Sequence, residues 1–270
     1  MRYVIAIPTF RRSKVIKGKT LKILKDIPKK NKYIFIVEDE INDYEYLKDE
    51  VNIVIGVEGL CNQRKFIKNY FNEEQYIINM DDNIDGLYEV INEKRLCEYN
   101  NLEELFKRGY DLMKQNGLKI WGLYPVFNPY YMYKNDEYSM DFKYIMGGIY
   151  GEINDTNLEV TNSIKEDYER TFLHYDKYDG MIRFNRITCK RRLNYKGMVD
   201  EEREVVEKLL GEYPKYINKI FYRKSKKRWD IKLWKVPKEV KDDNICGGWE
   251  SLKKYNIPIR ELRNNICNSI

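Results

Sequence analysis

The feature that most constrains the fold is an alternation in the first ninety residues. Short apolar runs at 3–7, 33–37, 51–55 and 76–80 are separated by stretches of helical character at 17–26, 43–50 and 59–71. Each apolar run has the length of a buried strand. Strands separated by helices pair in parallel, because the chain must cross over before it re-enters the sheet. The pattern therefore predicts an α/β chain with a mainly parallel, Rossmann-type sheet and helices on both faces. After residue 85 the next element expected is a helix at 102–116. Strands at 120–126, 144–150 and 181–188 and helices at 163–175 and 200–210 complete the reading.

Composition bounds the possibilities. With 43% hydrophobic and 34% charged residues in 270, the chain can bury a core, and wholesale disorder is excluded. Its five cysteines are odd in number, scattered, and without a CxxC pair. That argues against a disulfide framework or a structural zinc site, and for reduced thiols. The N-terminus is too short and strand-like for a signal peptide. The longest uncharged run, 120–133, holds two prolines and is shorter than the roughly 20 apolar residues of a spanning helix. A soluble, cytoplasmic protein is expected. The Tyr, Lys, Asn and Ile excess suits an A-T-rich genome.

The net charge of +6 is unevenly placed. Residues 219–241 carry ten basic and two acidic side chains, against 39 basic and 41 acidic in the remainder. The expected division is a catalytic body over 1–215 and a basic extension over 216–270 packing on it. Lys224, Lys226, Lys227, Arg228 and Trp229 in that stretch could bind a phosphate backbone with aromatic contacts. A solvated basic face, or a patch against an anionic membrane, stays open as the alternative.

In open α/β sheets ligands bind beyond the carboxyl ends of the strands. The first strand is followed by Pro8, Thr9, Phe10, Arg11 and Arg12, the second by Glu38, Asp39 and Glu40. The third leads to Gly56 and Gly59, then a helix carrying Arg64, and the fourth to Asp81, Asp82 and Asn83. Neither GxGxxG nor GxxxxGKS/T occurs in the matching place, which excludes the ordinary dinucleotide and P-loop sites. Adjacent carboxylates at a buried strand end repel unless a cation or donor compensates. A divalent cation would do so, and a solvated turn is the plainer reading. Arg64 shares a helix face with Leu60, Ile67 and Phe71, where a charge needs an anion. That anion is either a phosphate or a structural partner such as Asp81 or Glu38. Ser163-Ile-Lys-Glu166 has the form of a capping box, leaving Asp167 free to serve as a general base or to favour the helix dipole. His174, the single histidine, is either a core residue or a metal ligand.

Taken in order, these motifs resemble the GT-A fold of nucleotide-sugar-dependent glycosyltransferases over roughly residues 1–190. The Asp81-Asp82-Asn83 triplet resembles the DxD motif, and Glu166-Asp167 resembles the motif that carries the base in inverting members. Ile7-Pro8-Thr9-Phe10-Arg11-Arg12 and Asn62-Gln63-Arg64 are similar to small phage enzymes grouped as TET-associated glycosyltransferases, proposed to add sugars to hydroxymethylated pyrimidines in DNA. The resemblance implies that Pro8, Thr9 and Arg11 line the nucleotide and that Glu38 or Asp39 meets the base or ribose. It implies that Arg64 contacts the phosphates or sugar, with Asp82 beside the donor. Asp81 and Asn83, with His174 as a late ligand, would hold Mn²⁺ or Mg²⁺ on the pyrophosphate of a UDP-sugar. Gly147 and Gly148 would admit sugar or acceptor close to the backbone, and Asp167 would deprotonate the acceptor, inverting the anomeric carbon. DNA is the implied acceptor; a glycan or lipid-linked acceptor is the second reading, and a non-catalytic nucleic-acid-binding protein the third. A nucleotidyltransferase would carry a Gly-rich loop with a lysine after the first strand, which this chain lacks.

Overall fold

The computed structural model describes residues 2–191 and 199–238. The chain divides into two compact units, Met1–Leu193 and Asn194–Ile270.

The first unit is a mixed α/β domain with a large, mostly parallel central sheet flanked by helices. Its strands are β1 (Tyr3–Pro8), β2 (Lys32–Ile36), β3 (Asn52–Ile55), β4 (Tyr76–Met80), β5 (Ile84–Asn92), β6 (Arg95–Glu98), β7 (Ile120–Tyr124), β8 (Tyr138–Ser139), β9 (Ile149–Ile153) and β10 (Ile182–Arg191). Its helices are α1 (Ser13–Ile16), α2 (Thr20–Ile23), α3 (Ile41–Tyr44), α4 (Leu60–Tyr70), α5 (Leu102–Asn116), α6 (Pro129–Tyr133) and α7 (Glu166–Tyr178). The sheet order is β3-β2-β1-β4-β9-β7-β10-β5-β6, with β8 paired to β10. Strands β1 to β4, β7, β10 and β6 run one way, and β9, β5 and β8 run the other.

The period-2 alternation of a strand explains the two covered faces. From β1, Tyr3, Ile5 and Ile7 join one apolar cluster with Leu21 of α2 and Leu105 and Phe106 of α5. Val4 and Ala6 join another with Phe35, Ile77 and Ile67 of α4. Burying each isoleucine, leucine, valine or phenylalanine side chain among these contributes about 1.5–3 kcal/mol. Toward the middle of the sheet the α4 face turns polar: Asn79 of β4 and Glu152 of β9 are buried there at 1% exposure each.

Several expected elements shift. Of the helix expected at 17–26 only the short α2 forms, and a second short helix, α1, precedes that range. The strand expected at 144–150 lies later, as β9, and β5 and β6 occupy a stretch where the sequence pattern predicts no strand. Leu60 is 45% exposed, so the buried face of α4 is Gln63, Arg64, Ile67 and Lys68. The capping box does not form. Lys165, at φ +60°, precedes α7 without a side-chain cap, and Glu166 turns inward instead to pair with Arg170.

In the second unit, α8 (Val199–Glu212) packs on a hairpin of β11 (Ile217–Arg223) and β12 (Arg228–Leu233). Val206, Leu209, Ile220 and Ile231 form its apolar interior. Residues 239–241 of the basic stretch, and Cys246 and Cys267, lie outside the described residues. Cys61, Cys97 and Cys189 are free thiols. Among the described residues, no helix is long and apolar enough to cross a membrane.

Candidate active site at the carboxyl edge of the sheet

The ends of β1, β2, β4 and β10 and the start of β9 meet at one edge of the sheet. The Asp81-Asp82-Asn83 turn sits at its centre and is pinned by backbone contacts. The Asp81 N–H donates to Gly148 O at 2.9 Å. Thr20 Oγ1 donates to Asp81 O at 2.6 Å and accepts from the Ile84 N–H at 3.0 Å. Thr20 is fully buried and gave no sequence signal of this role.

The two aspartates face different partners. Asp82, 4% exposed, accepts from Arg12 Nη1 at 2.8 Å on Oδ1 and from Thr9 Oγ1 at 2.9 Å on Oδ2. Because the Thr9 proton goes to Asp82, Tyr44 OH donates to Thr9 Oγ1 at 2.8 Å, and the Arg12 N–H donates to Tyr44 OH at 3.2 Å. Burial pushes the Asp82 carboxyl up, and Arg12 opposes that shift. Nearby, buried Glu40 accepts from the backbone N–H of Arg11, which holds a left-handed φ of +53°. Such a conformation in a non-glycine residue persists only when its surroundings hold it. Burial raises the Glu40 carboxyl as well. Glu38 and Asp39 are exposed, as is the Arg11 side chain, while Pro8 and Thr9 are buried. The short 3₁₀ turn after β2 decides which of the three acids turns inward, and the sequence alone did not mark Glu40.

Asp81 lies between two guanidinium groups. Its Oδ1 is 3.5 Å from Arg64 Nη2, and its Oδ2 pairs with Arg191 Nη1. Arg64 is 4% exposed and also donates to Asn79 Oδ1 at 3.0 Å. The alternative of a structural partner for Arg64 is thus realised with Asp81. Asp81 raises the Arg191 pKa despite burial, so Arg191 stays charged. Arg191 was missed because its arrival depends on β10 running alongside β7 and past the end of β4.

The start of α7 closes the edge. Asp167 accepts on Oδ2 from Tyr144 OH and from the Gly147 N–H at 3.4 Å. Burial and the adjacent carboxylate push the Tyr144 phenol well up, keeping it a donor. Thr171 Oγ1 donates to Asp167 O at 2.7 Å and accepts from the Ile145 N–H at 3.1 Å, fixing the segment before β9 onto α7. Here the glycine pair accommodates protein atoms. A Cβ on Gly147 would lie 3.1 Å from Glu166 Oε1, and one on Gly148 would lie 3.0 Å from Arg191 Nε.

His174 belongs to a different cluster. It is 1% exposed, its Nδ1 meets Arg170 O at 2.9 Å, and its Nε2 lies 3.8 Å from Glu152 Oε2. Burial, then Lys68, lowers its pKa to about 4, so it is neutral and carries its proton on Nδ1. Burial alone would raise Glu152, but the charges of Lys68 and Arg170 hold it below the usual range. A cavity of about 10 Å³ beside Glu152, Arg170 and His174 has room for one water.

The donor set does not fit the Mn²⁺ or Mg²⁺ that the family resemblance implies. Each oxygen of Asp81 and Asp82 already faces an arginine or a threonine hydroxyl. Asn83 is half-buried in the turn, and His174 lies against Glu152. Among the described residues, no group of three or more His, Cys, Asp or Glu side chains could hold a metal ion.

The basic residues sit around the hairpin turn. Lys224, Lys226 and Lys227 are exposed. Arg228 pairs with Asp230 at 3.1 Å. Trp229 is 7% exposed, its ring 5.6 Å from that of Tyr222, and its backbone N–H donates to Glu202 Oε2 at 2.8 Å. It is part of the unit's interior, so the exposed residues here are lysines without that aromatic.

No protein-family model and no curated protein matches the chain. Among solved structures it is similar to mannose-1-phosphate geranyltransferase from Thermus thermophilus, at 8% identity and a TM-score of 0.42, over 70% of this chain and 75% of that one. It is similar to CMP:2-keto-3-deoxy-manno-octonic acid synthetase complexed with CTP, at 10% identity and 0.40, over 68% and 89%. A third is mannose-6-phosphate isomerase from Helicobacter pylori, at 12% identity and 0.37, over 67% and 86%. All three scores lie below 0.5, and the chemistry of this chain has to be read from its own residues.

Proposed function

We propose that this chain transfers a glycosyl group from a nucleotide-sugar to an acceptor hydroxyl. The observation that carries the reading is the meeting of Arg12, Arg64, Arg191 and Asp167 around one turn at the carboxyl edge of the sheet. Guanidinium groups suit a diphosphate, and a carboxylate oriented through one oxygen suits proton removal. The acceptor oxygen bonds to the anomeric carbon while the bond from that carbon to the phosphate oxygen breaks. The acceptor proton passes to Asp167, and the nucleoside diphosphate leaves with the electron pair. One displacement inverts the carbon. Pro8, Thr9 and Arg11 line the nucleotide end, with Glu38 or Asp39 toward the base or ribose. Gly147 and Gly148 border the sugar, and UDP-sugars are the first donors to test.

For the acceptor, the exposed Lys224, Lys226 and Lys227 favour DNA, with a hydroxymethylated pyrimidine supplying the hydroxyl. The test incubates the protein with UDP-sugars against hydroxymethylated DNA, plain DNA and simple glycans, read by mass spectrometry. A hexose-sized mass gain with release of nucleoside diphosphate supports the reading. Tight DNA binding with no nucleotide binding would overturn it, as would release of pyrophosphate from a nucleoside triphosphate and a sugar phosphate.

A further inference from the structure

Asp81 and Asp82 stand where a diphosphate-bound cation is expected, yet three guanidinium groups surround the two carboxylates. With Asp167 counted, the three guanidinium groups balance the three carboxylates, and each oxygen of Asp81 and Asp82 already faces an arginine or a threonine hydroxyl. Such an arrangement leaves a divalent cation no unclaimed oxygen on either carboxylate, while the guanidinium groups of Arg64 and Arg191 suit an anion in place of Asp81. We infer that Arg64 and Arg191 form a diphosphate clamp, that Asp81 occupies it in the free protein, and that the donor binds without a divalent cation. The inference rests on the glycosyltransferase reading and deepens it.

Burial distinguishes the fixed partners from the movable one. The side chain of Arg64 is 4% exposed and that of Arg191 14%, whereas Asp81 is 23% exposed. Arg64 is also anchored by Asn79, and Arg191 lies over Gly148, where a Cβ would crowd its Nε. A buried guanidinium without an anion is costly, so one must be present in both the free and the bound state. Asp81, the most exposed of the three, can swing toward solvent when a diphosphate arrives. The diphosphate then presents several oxygens to planar donors that suit it. As the anomeric bond breaks, the electron pair goes to the diphosphate oxygen, and the two guanidinium groups hold the added charge. On release, Asp81 returns. Gly148 in this account makes room for Arg191.

The two roles for Asp81 predict opposite results. Titration calorimetry with UDP, GDP, CDP and ADP is run in EDTA and again with Mn²⁺, on the full chain and on Asp81→Asn and Arg191→Gln. The clamp predicts affinities in EDTA and Mn²⁺ within about twofold, and Asp81→Asn binding at least as tightly as the parent. Arg191→Gln should weaken binding in EDTA by about tenfold or more, with Arg191→Lys recovering only part because the planar fork is lost. Thermal melts establish that each variant is folded; Asp81→Asn, nearly isosteric, decides the question if Arg191→Gln is not. Binding seen only with Mn²⁺ and abolished in Asp81→Asn overturns the clamp while leaving glycosyl transfer standing. No binding of any diphosphate by the parent under either condition overturns both.

Discussion

Two clusters of charge lie near α7, and they differ in how they are closed. Beneath the helix, Glu152 accepts from Asn79 at 2.8 Å, pairs with Lys68 at 3.2 Å and faces a neutral His174. The side chains of Lys68, Glu152 and His174 are no more than 10% exposed. At the sheet edge, Asp81, Asp82 and Asp167 meet arginines and backbone donors, with Asp81 and Arg12 partly open to solvent. The interior cluster is shut away from solvent, with His174 Nε2 buried and without a hydrogen-bond partner among the described residues. The edge cluster is open, with the side chains of Arg12 and Asp81 40% and 23% exposed. Buried charge alone therefore does not mark a site; charge pairs that reach solvent at the carboxyl edge of the sheet are the better candidates.

The sharpest way to break this contrast is at the edge. Asp167→Asn should lower turnover by about 10²–10⁴-fold with donor binding unchanged, measured by steady-state kinetics and calorimetry. Near-normal turnover would remove Asp167 as the base. Within the interior, Glu152→Ala leaves Lys68 buried without its partner and should cost about 3–5 kcal/mol in denaturant unfolding. A loss well under 1 kcal/mol would show that this cluster is as open to water as the edge.

His174 gives a smaller effect with a defined sign. Its pKa falls from 6.5 to about 4 on folding, so the unfolded chain binds its proton first as pH drops. Stability is fully present above the unfolded value and is lost as pH falls toward the folded one. From about pH 7.5 to pH 5 the loss assignable to this group is about 2 kcal/mol. His174→Gln should lack that component; equal pH dependence in parent and variant would refute the buried neutral imidazole. Smallest is the exposed Lys65–Glu159 pair, with side chains 52% and 37% exposed. Lys65→Ala should change unfolding stability by less than about 1 kcal/mol.

Legibility in the sequence followed the same line. Strands β1 to β4 and the polar groups ending them could be read because an apolar run bounded by charge has few alternatives. In β5 the buried residues are Ile84, Leu87 and Val90, a spacing of three that does not show the period of a strand. Strand β9 was misplaced because Glu152 looks like a strand end, yet it is buried against Lys68. Glu166 looked like half of a capping box and instead meets Arg170, which also lies over the Tyr150 ring at 3.9 Å.

The sequence by itself determined where strands form in the first third of the chain and that Asp81 and Asp82 end one of them. Apolar periodicity and chain order are local properties, so they survive without a structure. Tertiary structure decided what each charge meets. Asp81 and Arg191 are 110 residues apart and touch because β9 enters antiparallel beside β4 and β10 runs on past β7. The Coulomb interaction depends on distance in space and on burial, and neither is written in the order of residues.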